Sequence, residues 1–423
     1  MNKLQAGFAR LDITPALGTP IDGYFMPRYT EGVLDNLEVN ALALRVEDTT
    51  VLFIAVDACG IPTGDCNSFR RNIEETTGVP YDAIFIHATH SHTAGQINSS
   101  EELLALESAE GMMFRRENFQ RVYRKIADVA KLALDDLKPA KMGWAVGKAP
   151  NIAFVRRFRM KDGKVRTNPG VGNPDILHPI GDVDERVNLL RFDRENDSLV
   201  FINFGDHPDV VGGSKVSADW PGFTRRILEK VLDNVKCIFF NGAQGDVNHV
   251  NVNAKHGDFN DMFNDFDDVA RGYGHSRHMG NVVVGAVLQA VDKVNYEDVD
   301  SLRVLQKFAQ LPSNMPKPEE MPLARKYHEL HEAGRDDEIP FEAMELTTVV
   351  AEAGRMVRLE HGPEFFSLGL GGVALGNIAF ISIPGEPFTG IGRGLKEAEG
   401  WTMVMPACLT NGSEGYFPMQ DAY

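Results

Sequence analysis

Cysteine is scarce in this chain, with Cys59, Cys66, Cys237 and Cys408 spread over 423 residues and no Cys-x-x-Cys pair among them. That excludes a disulfide-dense secreted scaffold and predicts reduced thiols in a cytoplasmic protein. Positive charge is in deficit, with 43 Lys and Arg against 60 Asp and Glu and a formal net charge of −17. Such a surface repels phosphate backbones and anionic headgroups, so nucleic acid and stable membrane anchoring are not expected; a neutral or cationic small molecule suits it better. The longest apolar stretches, such as residues 51–56 and 378–383, are far shorter than the roughly 20 residues that cross a bilayer. Met1-Asn2-Lys3-Leu4-Gln5-Ala6 shows neither an apolar h-region nor a small-residue cleavage site, so no export signal is read there.

Apolar material itself is not lacking: 43% of the residues are hydrophobic and 24% charged, an ordinary globular balance that can bury a sizeable core. No Gly/Ser linker divides the chain, so a single catalytic domain over residues 1–423 is expected, with excursions at about 251–273 and 312–345. The hydrophobic pattern predicts a hairpin over 41–46 and 51–56 ending at Asp57, a buried strand at 83–87 and a helix over 116–137 before Pro139. A second block predicts strands at 188–192, 199–204 and 237–240 around a helix at 221–232 with Pro in its first turn. A third predicts a hairpin over 373–383 turning at Gly376-Asn377, a helix over 389–399 and a strand at 402–405. The class is α/β, a mixed β-sheet core with surrounding helices, and no internal repeat stands out.

Chemistry concentrates at strand ends. Ile86-His87-Ala88-Thr89-His90-Ser91-His92 places histidines just after a buried strand, where residues two apart share a face if the backbone stays extended. A catalytic zinc needs about three protein ligands and an open position, so a His-x-His supplies only part of a site. Other strand ends offer the rest: His207 after 200–204, Asp246 after 237–240 and Glu386 after 379–383. Asp57, Asp219 and Asp246 are candidates for orienting histidines or for turn and cap roles. His275 and His278, near the start of a helix at about 277–291, suit a helix surface better than a pocket. The His328-Glu329-Leu330-His331 run has its histidines three apart, unlike HExxH, and reads as a solvated helix face. Gly369-Leu370-Gly371-Gly372 lacks the strand-turn-helix context of a nucleotide loop.

These motifs in their order, Asp12-Ile13-Thr14-Pro15, Thr89-His90-Ser91-His92-Thr93-Ala94-Gly95, Asn173-Pro174-Asp175-Ile176, Asp182-Val183-Asp184, His207-Pro208, Ser217-Ala218-Asp219, Gly245-Asp246-Val247 and Pro384-Gly385-Glu386, resemble the catalytic domain of the neutral, non-lysosomal ceramidases over nearly the whole chain. The resemblance implies a Zn²⁺ held by His90, His207, Glu386 and Tyr416, with His92 as general base. A pKa of about 6.5 would suit an unperturbed imidazole to that task at neutral pH. It further implies that Arg156 and Tyr416 steady an oxyanion, and that the substrate is a small N-acyl compound or ester. Two alternatives stay open: a non-catalytic binding paralogue, and a zinc esterase or lactonase acting on a soluble substrate.

The sequence departs from the family in three places. Asn248 stands where a serine proposed as nucleophile is expected, which favours water as the nucleophile. Thr93-Ala94-Gly95 replaces a Gly-Pro. The immunoglobulin-like C-terminal domain of the long ceramidases has no counterpart, and Tyr423 comes soon after Tyr416, before the position of a second family tyrosine.

Overall fold

The computed structural model describes residues 4–24, 27–101, 107–253 and 272–422. Most of the expected excursion at 251–273, and Tyr423, lie outside the described residues. Three β-sheets organise the rest, and all three are wired alike.

In the first, β1 (Leu4–Asp12) pairs antiparallel with β2 (Glu38–Val46) and β2 antiparallel with β3 (Thr49–Val56); helix α1 (Thr63–Thr77) then crosses over so that β4 (Ile84–Ala88) lies parallel to β3. Helix α2 (Ala109–Asp135) follows and packs on β1 and β2. In the second sheet, β5 (Lys141–Lys148), β6 (Arg186–Asp193) and β7 (Ser198–Phe204) run antiparallel in turn. Helix α3 (Asp219–Val231) crosses over to the parallel strand β8 (Val235–Asn241), and α4 (Tyr273–Ala290) packs against α3. In the third, β9 (Leu302–Pro312) pairs antiparallel with β10 (Phe365–Leu375), with helices α5 (Met321–Glu332) and α6 (Ala343–Leu359) in the connection. Strand β10 pairs antiparallel with β11 (Ile378–Ser382), and α7 (Thr389–Lys396) leads to the parallel β12 (Met403–Ala407). A parallel pair needs such a crossover, whereas the antiparallel pairs need only a turn or an insertion. The architecture is thus a threefold topological repeat, which the residue pattern did not reveal.

The reason lies in the inner faces. Strands β2, β3, β7 and β8 are buried on both sides and read as nearly continuous apolar runs. The third strand of each sheet sends one phenylalanine to the centre: Phe53 lies 5.6 Å from Phe201 and 4.8 Å from Phe380 between ring centroids, and Phe201 lies 6.2 Å from Phe380. Phe85 and Phe240, from β4 and β8, join this cluster. Residues of all three sheets belong to one hydrophobic core. Tilted and edge-on aromatic pairs of this kind each contribute about 0.5–1.5 kcal/mol beyond area burial.

Several boundaries differ from expectation for local reasons. Helix α2 begins at Ala109 because the Ser108 side chain caps it, accepting from the Gly111 amide at 3.0 Å, and it ends before Pro139 is reached. The insertion expected at 312–345 does hold surface helices, α5 and α6, but the second runs on to Leu359. No helix among the described residues is long and apolar enough to cross a membrane.

Candidate metal centre

The repeat brings the third and fourth strands of each sheet to one edge, and the residues just beyond them meet there. Six positions after Phe53, Phe201 and Phe380 stand Cys59, His207 and Glu386. His90 and His92 arrive from the loop after β4. His90 is not extended, as the His-x-His reading assumed, but left-handed at φ 75°. That conformation is disfavoured for a residue with a Cβ and persists only where the surroundings hold it. Here the His90 amide donates to Ala58 O at 2.8 Å, Thr89 N to Val56 O at 2.9 Å and His92 N to Pro208 O at 3.2 Å.

His90 Nε2 lies 3.1 Å from His207 Nε2, 3.2 Å from His92 Nε2 and 3.3 Å from Glu386 Oε2. Around a tetrahedral ion with bonds of about 2.0–2.1 Å, neighbouring donors stand roughly 3.3–3.4 Å apart. The spacing therefore matches donors arranged about one cation. His90, His92, His207 and Glu386 are all buried. Glu386 Oε2 and His207 Nδ1 have no hydrogen-bond partner, leaving an orphaned carboxylate oxygen at the centre. The His90 ring at 3.3 Å offsets the cost of burying this carboxylate only in part, and a metal ion would supply charge there. Two groups among the described residues have donor atoms within 4.8 Å of one another: His90 with His207 and Glu386, and His90 with Cys59 and His92. The first is the better ligand set, because His90 Nδ1 is already occupied by Cys59 O at 2.5 Å, which directs the Nε2 lone pair to the centre. Cys59 Sγ stays 3.8 Å from that same Nδ1, and burial pushes its thiol well above the ordinary range.

Electrostatics sort the remaining groups. Burial works against a charged His90, but the Glu386 carboxylate beside it raises the ring, and Glu386 is in turn held low against its own burial by His90. Burial, then the Arg156 charge, keeps His207 neutral. Burial brings His92 down to about 4, so its ring is neutral well below physiological pH rather than half-titrated near it. Tyr416 is 49% exposed, yet its hydroxyl lies between Arg156 and Glu386; burial and then Glu386 raise it, which keeps the phenol protonated. Tyr416 reaches this place because residues 416–417 pair in parallel with 386–387. Arg156 is no surface cation: its Nη2 donates to Gly245 O at 2.6 Å and its guanidinium lies 5.4 Å from the Tyr416 ring centre.

Of the two roles open to Asp57, Asp219 and Asp246, the structure shows contacts to backbone and neighbouring side chains and none to a histidine of the centre. Asp57 accepts from Thr89 Oγ1 and from the buried Arg225 at 2.6 Å, anchoring the His90 loop. Asp219 accepts from the amides of Val210 and Val211, just after His207. Asp246 accepts from Thr389 N at 2.7 Å, just after Glu386. Asn248 bonds Asn168 and the Val250 amide. His278 is on the exposed surface as expected, but His275 is buried, with its ring 5.4 Å from that of His249. On α5, His331 is buried rather than solvated, with its Nδ1 2.9 Å from Asp336.

The sequence reading missed a set of residues around His92. Asp209 Oδ1 faces His92 Nδ1 at 3.7 Å, and Tyr24 donates to that oxygen at 2.8 Å. Arg28 lies 3.8 Å over the Tyr24 ring and donates to His92 O at 2.7 Å. Gly23, at φ 99°, lies so close that a Cβ would stand 2.7 Å from His92 Nδ1. The sequence signal was the acidic residue two places after His207.

The fold is neutral-ceramidase-like. Among solved structures, the neutral ceramidase from Pseudomonas aeruginosa superposes with a TM-score of 0.70 at 14% identity, covering 99% of this chain and 69% of that one. A ceramidase complexed with C2 superposes with a TM-score of 0.69 at 14% identity, covering 99% and 70% respectively. No protein-family model matches the sequence, and no curated protein matches it either.

Proposed function

We propose that the protein is a zinc-dependent hydrolase that cleaves an N-acyl amide bond with water as nucleophile. The observation that carries this reading is the meeting of His90, His207 and Glu386 at donor spacings suited to one ion, with Arg156 and the Tyr416 hydroxyl at its rim. His90, His207 and Glu386 would hold the ion, with Tyr416 as a fourth, weaker donor. Zinc in such a site supplies Lewis acidity that acidifies water and polarises a carbonyl. His92, neutral and with Nε2 turned to the centre, takes the proton of the attacking water and returns it to the departing nitrogen. Arg156 and the protonated Tyr416 donate to the oxygen on which negative charge develops. The likeness of fold to ceramidases supports a small N-acyl substrate. A binding-only paralogue would need no such neutral base beside the donors.

The test is a hydrolysis screen of the full chain, loaded with zinc, against N-acyl amines, peptides and esters. Turnover of N-acyl amines that chelation abolishes and zinc restores is the expected result. Turnover that survives chelation, or that is confined to esters, would overturn the respective part of the reading.

A further inference from the structure

We infer that Asp209 is the positioning residue of His92, accepting its Nδ1 proton and thereby fixing the Nε2 lone pair toward the metal centre. A neutral imidazole carries one N–H, and which nitrogen bears it decides what the other can do. His92 Nε2 points at the donor cluster, 3.2 Å from His90 Nε2. For His92 to take a proton there, or to donate a lone pair there, the hydrogen must sit on Nδ1.

Nδ1 is buried without a hydrogen-bond partner, and the carboxylate facing it is Asp209 at 3.7 Å. A contraction of about 0.7 Å would make this a hydrogen bond of ordinary length. Catalytic contacts of this kind are often long before substrate binds. Neighbouring groups set where the two partners stand, while the Asp209 side chain, about a third exposed at 34%, keeps room to close the gap. Tyr24 holds Asp209 Oδ1 with its hydroxyl at 2.8 Å. The backbone of His92 is held by Arg28, which also donates to Gly213 O and Asp22 O, and by the bond to Pro208 O, the residue before Asp209. Gly23 closes on the ring with no room for a side chain. The His92 ring is therefore held by its backbone on one side and faces the Asp209 carboxylate on the other.

The inference builds on the reading of His92 as the proton carrier, but its primary test needs no substrate. Long-range ¹H–¹⁵N spectra of the zinc-loaded full chain report the tautomer of each histidine, with His92 assigned from His92→Gln. The Nδ1–H form of His92 is expected in the wild type, its loss in Asp209→Ala, and its return in Asp209→Glu. An unchanged tautomer in Asp209→Ala, or an Nε2–H form in the wild type, would overturn the assignment. The buried His87 signal reports whether Asp209→Ala still folds; if it does not, Tyr24→Phe, which frees Asp209, is expected to weaken the Nδ1–H preference and to leave His87 unmoved, and no weakening would count against the proposal. On any substrate found by the screen, kcat is expected to fall about 10- to 100-fold at unchanged KM in Asp209→Ala. If no substrate is turned over, the hydrolase reading fails while the tautomer still decides the role of Asp209.

Discussion

At the scale of single residues, the site depends on a few side chains being held in conformations they would not choose alone. His90 is left-handed, His92 is neutral through burial, and Arg156 is turned inward onto Gly245 O. A rigid planar fork suits the role proposed for it, because one guanidinium bonded to Gly245 O has further N–H groups left for an oxyanion. Arg156→Lys is accordingly expected to keep the zinc content while lowering kcat about 10²- to 10³-fold, the range for loss of an oxyanion donor; metal analysis alongside steady-state kinetics checks both halves. The family resemblance pointed to His90, His92, His207, Glu386, Tyr416 and Arg156 as a set, and the structure brings the first four together, with Arg156 and Tyr416 beside them. Asp209 was marked only by its place two residues after His207 and Tyr24 by nothing local, since the two meet across 185 positions of chain. The φ of His90 was equally hidden, because it is imposed by the Ala58 carbonyl and not by local preference.

At the scale of elements, the ends of the inner strands are tied to one another by buried polar groups. His87 on β4 is the clearest case. Its Nδ1 lies 2.8 Å from Cys408 O beyond β12, its Nε2 accepts from Asn241 N of β8 at 2.9 Å, and its ring stacks on Phe240. This arrangement needs a neutral ring, and burial brings the His87 pKa down to about 3. The unfolded chain then binds the proton more readily than the folded one, so stability is complete above the ordinary histidine pKa of about 6.5 and declines as pH falls toward 3, by at most about 1.4 kcal/mol per unit. Urea denaturation of the wild type and of His87→Gln across that range is expected to show a shallower acid decline in the variant. Equal slopes would assign the decline to other groups. Strands such as β3 and β7 were legible because burial on both faces writes a continuous apolar run. Helix α2 was legible in its body but not at its start, where a single serine cap decides the boundary.

At the scale of the whole molecule, three sheets of one topology place equivalent strand ends around a common point. Apolar inner faces make that convergence stable, with Phe53, Phe201 and Phe380 at its centre, and the loops beyond them supply the donors. The repeat lies in connection order rather than in residues, which is why the sequence disclosed the mixed α/β class but not the threefold plan. The proposed metal centre would then be shared by all three units, each supplying one of His90, His207 and Glu386. It is tested most directly by diffraction at the zinc absorption edge from crystals of the full chain grown with zinc. An anomalous peak is expected at about 2.0–2.2 Å from His90 Nε2, His207 Nε2 and a Glu386 carboxylate oxygen. A zinc peak elsewhere, or none with these three side chains still together, would contradict it.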